Sequence, residues 1–412
     1  MQGKKSTATA SNSNSSKYNR RQMKIKELGK NLALMAASGL FVLILVEIGL
    51  RLFVDNIPHW RPIDSDLGWR LRANLKGWQV QEGRVWIETN SHGFNYPEIP
   101  IAKPDDTFRI AILGDSFMEA LQVPLEDTFS MLLNDELGAS EIIPGKRIEV
   151  INFGVGGYNT AQEFLLLKNT VMEFSPDAVV LALFFGNDVT DNHPEMCEGC
   201  DRPFILAEEE GIVLDTSFAT TPFFEFKMSP TGQVLTWARN TSRILQQVDQ
   251  ARRVYNARKA EGARLMRQTG EIFEIYKRNA EPRFEQAWRN TAAGLELIDQ
   301  FADEHNIPLL VLTLPLKEQV TLDRELYQEA LESSGEPSLF APEQRINELG
   351  QHLGFEVFNL GPPMQEIAWQ ENIWVLGTGN YLGDGHWNEQ GHKIAAQLTA
   401  PVLKEFVANL NK

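Results

Sequence analysis

The chain has 412 residues, 43% of them hydrophobic, and a formal net charge of −16. That length suits one large domain with insertions or two domains, and the acidity excludes nucleic acid as a partner of the main body. The charge is uneven: residues 1–30 hold eight basic side chains against a single acidic one, Glu27. Residues 6–16 are only Ser, Thr, Ala and Asn, with no apolar periodicity. Residues 1–30 therefore read as a basic disordered tail.

An apolar run follows from Leu32 to Val46 and continues through Ile48, Leu50, Leu52, Phe53 and Val54. Residues 31–54 are long enough to cross a bilayer core of roughly 30 Å as a helix. Glu47 and Arg51 are spaced to pair on one helix face near the interface. The preceding basic residues put the N-terminus in the cytoplasm and the body outside it. No small-x-small cleavage site follows the run, so an uncleaved anchor is expected rather than a signal peptide.

Residues 55–108 form a connecting region. Trp60, Trp69, Trp78 and Trp86 stand among short alternating pieces such as Arg84-Val85-Trp86-Ile87. This pattern predicts a small antiparallel element. Asn90 to Asn95 is a turn cluster, and His92 within it reads as a loop histidine.

From Arg109 the pattern alternates between strand and helix. Ile110-Ala-Ile-Leu113 is a buried-strand run that meets Gly114, Asp115 and Ser116. Further strands are expected at Ile148–Asn152, Ala178–Phe185, Pro308–Leu314 and Phe355–Asn359. Helical spacing occupies 161–173 and 284–304, and a last helix carries Ile394, Ala395, Leu398, Val402 and Phe406 on one face. Asn388 is placed to cap that helix, and His392 reads as packing within it. The alternation predicts an α/β fold with a five-stranded parallel sheet and helices on both faces.

Such sheets bind ligands at the C-terminal rim of their strands, and the polar signals fall there. Ser116 follows the first strand, and Gly154, Gly156 and Gly157 follow the second. Gly186-Asn187-Asp188 follows the third, and Asp384-Gly385-His386 comes after the fifth. Alone, Gly-Asp-Ser fits a helix cap as well as a nucleophile. With the other three signals, serine gains the base it needs in His386. Asp384 can orient that base. The backbone N–H groups of Ser116 and Gly157 and the Asn187 amide can donate to an oxyanion. Gly154 and Gly156 read as serving backbone geometry.

These blocks resemble the SGNH (GDSL-type) hydrolases over residues 109–400, in family order. The resemblance implies a flavodoxin-like α/β/α sandwich and a serine ester hydrolase or acyl transferase. It implies Ser116 as nucleophile, His386 as base, Asp384 as its partner, and an oxyanion hole from Ser116, Gly157 and Asn187. Phe117 stands where the family usually has Leu. The last block is spaced Asp-x-His-Trp rather than Asp-x-x-His, which is similar to the alginate O-acetylation proteins. Asp188 is the other carboxylate in view. No cofactor or metal is expected.

Residues 195–283 form an insertion within the hydrolase domain 109–412, too long for a plain crossover. Cys197 and Cys200, the two cysteines, fit a disulfide or free thiols better than a metal site. A helix is expected from about Gln233 to Met266, flanked by Arg252, Arg253, Arg258, Lys259, Arg264 and Arg267. It is either a cap over the rim or a solvated amphipathic insertion. The expected function is a membrane-anchored, extracytoplasmic esterase acting on an acyl ester of a carbohydrate or lipid. The alternatives are an O-acyltransferase on a polysaccharide and a non-catalytic binding protein that retains the fold. Trp369, Trp374 and Trp387 fit either sugar stacking or core packing.

Overall fold

Five apolar runs become the strands of one parallel sheet. The computed structural model describes residues 9–197, 200–267 and 271–410. The chain starts with a long helix, α1 (Thr9–Phe53). Two antiparallel ribbons follow, β1 (Ile63–Asp64) with β2 (Gly68–Trp69) and β3 (Lys76–Gln79) with β4 (Val85–Glu88). Strand β5 (Thr107–Gly114) opens the alternating part, through α2 (Ser116–Glu119), α3 (Phe129–Gly138), β6 (Arg147–Asn152), α4 (Thr160–Asn169) and β7 (Ala178–Phe184). A hairpin of β8 (Phe204–Glu208) and β9 (Gly211–Asp215) leads to α5 (Pro222–Met228), α6 (Pro230–Thr241) and α7 (Arg243–Arg267). Helix α8 (Pro282–Glu304) returns the chain to β10 (Leu309–Leu314). Then come α9 (Lys317–Val320), α10 (Arg324–Ser334), α11 (Ala341–Leu353), β11 (Glu356–Asn359), α12 (Gly361–Glu371) and α13 (Glu389–Asn409).

The large sheet has the order β11-β10-β7-β5-β6 and is parallel throughout. Counted among themselves these strands run 2-1-3-4-5, the flavodoxin-like order, whose ligand crevice opens at the switch point between β5 and β7. Every residue of β5 is buried. Pleating sends alternate side chains to opposite faces. Ile110 and Ile112 pack with α3, α12 and α13, while Ala111 and Leu113 pack with α4 and α8. The connecting region is antiparallel, as its alternation predicts, and Trp78 and Trp86 face each other across β3 and β4 with ring centroids 5.5 Å apart.

Two expected elements change. Helix α1 reaches back to Thr9, into the stretch that composition assigns to a disordered tail. Adding a turn to an existing helix is far easier than starting one, and the apolar run supplies the nucleus. The earlier part of that tail, residues 1–8, lies outside the described residues. The single helix expected over 233–266 is two helices, broken at Ser242, whose backbone is extended (φ −85°, ψ 124°). No proline or glycine marks that break. Its cause is tertiary: Glu47 of α1 accepts hydrogen bonds from Arg243 N–H (2.9 Å), Ile244 N–H (3.1 Å) and Ser242 Oγ–H (2.9 Å) at the start of α7.

Candidate active site

The turn after β5 sets out Ser116. Gly114 takes φ +153°, and a β-carbon there would lie 3.0 Å from the Ala182 carbonyl oxygen. Asp115 is fully buried and caps α2, its Oδ1 accepting from Phe117 N–H at 2.9 Å. The cap is thus Asp115, whose Oδ2 also lies within hydrogen-bond distance of Ser116 Oγ, at 3.3 Å. Helix α2 is a single turn that ends at Ala120 in the left-handed region (φ 51°). Two asparagines hold that turn: Asn95 donates to the Glu119 carbonyl at 2.9 Å, and Asn152 to the Met118 carbonyl at 2.6 Å. Asn95 comes from the loop cluster of the connecting region, so that region braces the turn.

Ser116 Oγ lies 2.6 Å from His386 Nε2. The other ring nitrogen, Nδ1, lies 2.8 Å from Glu82 Oε2, which also accepts from His386 N–H at 2.8 Å. A neutral ring whose Nδ1–H donates to Glu82 presents Nε2 as acceptor for the serine hydroxyl. Burial opposes a charged imidazole, but the Glu82 hydrogen bond and charge, with Asp115 and Glu119 behind, outweigh it and raise the His386 pKa. Glu82 is likewise disfavoured as an anion by burial, and the His386 contacts lower its pKa in spite of that.

The carboxylate on His386 is therefore Glu82 and not the expected Asp384. Asp384 points away to Lys317 Nζ at 3.1 Å, with its side chain 57% exposed. Asp188, the other carboxylate in view, is fully buried and accepts from Phe184 N–H at 2.7 Å. Burial, then the Asp115 and Glu163 carboxylates, push its pKa well up. Glu82 sits between β3 and β4 in the left-handed region (φ 56°) and is followed by Gly83. It belongs to the stretch that sequence reasoning treated as connecting. Its only local signal is an acidic residue before glycine at the tip of an alternating hairpin. Gly385 (φ +86°) admits it, since a β-carbon there would lie 2.4 Å from Glu82 Oε2.

The loop after β6 packs on the Ser116 turn. Gly157 takes φ +76°, and its carbonyl accepts from Arg202 Nη1 at 2.9 Å. Arg202 stacks over the Trp69 ring, 4.8 Å from its centroid. Gly154 and Gly156 serve close approach rather than unusual backbone. A β-carbon on Gly154 would meet Met118 Cβ at 2.4 Å, and one on Gly156 would meet Arg61 Nη2 at 2.0 Å. Arg61 is paired there with the buried Glu119 at 2.8 Å. Asn187, on the turn after β7, lies close enough to favour the Asp115 anion, and its own Oδ1 is buried without a hydrogen-bond partner. Sequence reasoning missed Arg61, Trp69 and Arg202, whose partners are all distant in the chain.

An apolar cavity of about 360 Å³ adjoins His386, walled by Phe117, Phe184, Ile275, Phe284 and Leu316. Ile275 and Phe284 come from the end of the insertion and the start of α8. Among the described residues, none of helices α5 to α7 lines this cavity. A second cavity, of about 450 Å³, is lined by Arg61, Trp69, Asp201, Lys227 and Arg239 among others. Cys197 and Cys200 form a disulfide. The side chains of Arg253, Arg258, Lys259, Arg264 and Arg267 lie outside the described residues.

The remaining candidates are structural. Asn388 caps α13 through Gly391 N–H at 3.0 Å. His392 is buried, accepts from Phe129 N–H at 3.2 Å, and is driven to a pKa of about 3 by burial. His92 packs edge-on against Phe174. Trp387 is in the core, and Trp369 Nε1–H donates to the Thr321 carbonyl at 2.9 Å. Trp374 lies against Gly383. Among the described residues, no group of three His, Cys, Asp or Glu is arranged to hold a metal.

No protein-family model matches the chain, and no curated protein does either. Solved structures similar to it include an acetyl xylan esterase, AlAXEase, at 15% identity and TM-score 0.36, over 72% of this chain and 99% of that one. A putative lipolytic protein of the G-D-S-L family from Desulfitobacterium hafniense is similar at 11% identity and TM-score 0.33, over 71% and 98%. A two-domain esterase active on acetylated mannans is similar at 11% identity and TM-score 0.35, over 74% of this chain. The chain spans half the length of that last protein.

Proposed function

We propose that the chain is a membrane-anchored serine esterase with Ser116 as nucleophile, His386 as base and Glu82 as the carboxylate behind it. The observation that carries this is the unbroken series from Ser116 Oγ through both ring nitrogens of His386 to Glu82. Ser116 attacks the acyl carbon while His386 takes the hydroxyl proton, and Glu82 stabilises the imidazolium. The oxyanion is held by the Ser116 and Gly157 N–H groups and the Asn187 amide, and one such donor typically lowers a barrier by about 2.7–4 kcal/mol. Collapse expels the alcohol, which leaves with the proton from His386. Water then repeats the sequence on the acyl-enzyme and releases the acid. The apolar cavity beside His386 suits the acyl group of a carbohydrate or lipid ester. Transfer to a sugar hydroxyl would use the same acyl-enzyme, and product analysis separates the two.

Helix α1 is the proposed anchor. It holds a span of mean hydropathy 2.3 within Gln22–Phe53, and the basic residues before it place the N-terminus in the cytoplasm. The Cys197–Cys200 disulfide suits an oxidising compartment on the other side. A fluorophosphonate probe on the full chain in detergent tests the mechanism. Labelling of the wild type and loss of labelling in Ser116→Ala is the expected result. A wild type that neither labels nor turns over p-nitrophenyl acetate would revive the binding-protein alternative.

A further inference from the structure

The insertion leaves an apolar face uncovered beside the long N-terminal helix. Phe223, Val234 and Trp237 are each 62% exposed, and Phe226, Leu235 and Val248 are exposed with them. Such a patch over α5, α6 and the start of α7 is unusual for a surface in water. Its composition is interfacial: Trp237 is an amphipathic ring, and Lys227 lies over the Phe223 ring at 4.1 Å. The Lys227 ammonium is also paired with Asp201, which fixes that cation at the edge of the apolar patch.

What covers the patch is indicated by its attachment to α1. Glu47 accepts the three hydrogen bonds at the start of α7 described above, and Arg51 Nη2 donates to the Thr241 carbonyl at 2.6 Å. The two charges of the apolar helix thus close on each other at 2.8 Å and on the α6–α7 junction. A cleft of about 580 Å³ lies between the helices, with Leu43, Ile44 and Ile48 on one wall and Trp237, Ile244 and Leu245 on the other. The surface of α1 that would face lipid is therefore continuous with the exposed face of α6. The depth also agrees. Glu47 is six residues before the end of α1 at Phe53, roughly 9 Å at 1.5 Å per residue. Amphipathic helices lying in a membrane surface bury their apolar faces by about 5–10 Å.

We infer that α5, α6 and the first turns of α7 lie in the outer interface of the bilayer that α1 crosses, their apolar face in lipid. This rests on the reading of α1 as a membrane anchor. The insertion is then a membrane foot that sets the height and tilt of the hydrolase domain.

The test uses nitroxide labels on the full chain in phosphatidylcholine–phosphatidylglycerol nanodiscs. Both native cysteines are in the disulfide, so single cysteines can be labelled at Val234→Cys, Leu235→Cys, Leu40→Cys in α1 and exposed Gln351→Cys in α11. Accessibility to oxygen is compared with accessibility to a water-soluble nickel chelate. The expected oxygen-to-nickel ratio at positions 234 and 235 is several-fold above that at 351 and approaches that at 40. A high ratio at 40 with a water-like ratio at 234 and 235 overturns the foot and leaves the anchor standing. Water-like ratios at all positions overturn both. Protection of 234 and 235 from both reagents means that protein covers the face, as a second copy would, and also overturns the foot.

Discussion

At the scale of single residues, His386 holds opposing influences. Burial disfavours its charge, while Glu82, Asp115 and Glu119 favour it, and the balance raises its pKa above the ordinary imidazole value of 6.5. A general base must be neutral to act. Turnover of p-nitrophenyl acetate is therefore expected to rise with pH through a midpoint above 6.5, as the ring loses its proton. Glu82→Gln removes the first-named favourable contact, so its profile of kcat/KM against pH is expected to shift to a lower midpoint. Its kcat is expected to fall by about 10⁴-fold, as loss of a triad carboxylate does elsewhere. Asp384→Asn is expected to stay within about threefold of wild type, since an exposed pair such as Asp384–Lys317 contributes little. If the Asp384 variant collapses and the Glu82 variant does not, the assignment of the carboxylate is wrong.

At the scale of elements, the β3–β4 hairpin and the last block meet through one glycine. Gly385 has φ +86° and lies where any β-carbon would press on Glu82. An alanine there costs about 1–2 kcal/mol in backbone strain and displaces the carboxylate as well. Gly385→Ala is therefore expected to lower kcat about as far as Glu82→Gln does, while thermal unfolding moves by only a few degrees. Circular dichroism melting beside steady-state kinetics checks this. A variant that melts as predicted yet keeps full kcat would show that the hairpin tip is merely packing. The same logic explains the insertion: α6 and α7 part at Ser242 because Glu47 of another helix takes up the N–H groups at the start of α7.

At the scale of the whole molecule, buried carboxyls make stability depend on pH. Glu343 is buried, with Gln319 donating to Oε1 at 2.8 Å, and burial pushes its pKa up to about 8. The folded state therefore binds this proton more tightly than the unfolded state, whose value is near 4.5. Its contribution is fully present below about pH 4.5 and is lost as pH rises to about 8. Glu343→Gln keeps the shape and the Gln319 contact without the titration. The variant is expected to match wild type in denaturant unfolding at pH 4.5 and to exceed it at pH 8.5, by on the order of a few kcal/mol. Equal stability at both pH values would mean that Glu343 is ionised in place.

The sequence by itself determined the elements whose causes are local. Four of the five sheet strands lie within a residue of their expected bounds, while the first, expected as Ile110–Leu113, starts three residues earlier at Thr107; the central strands are legible because burial on both faces needs an uninterrupted apolar run. Ser116, Gly157, Asn187 and His386 were candidates because each was expected after a strand at the rim, and rim position follows from strand order. Ser116 and His386, which are 270 positions apart, meet at 2.6 Å. Only the tertiary structure decided which carboxylate faces His386. Asp384 is the neighbour in sequence, but the chain between it and His386 turns its side chain to Lys317. Glu82 is 304 positions from the histidine, and it arrives because a hairpin with its own ribbon contacts closes over the rim. Periodicity records which face of an element is buried, and carries no trace of which distant loop will fold against it.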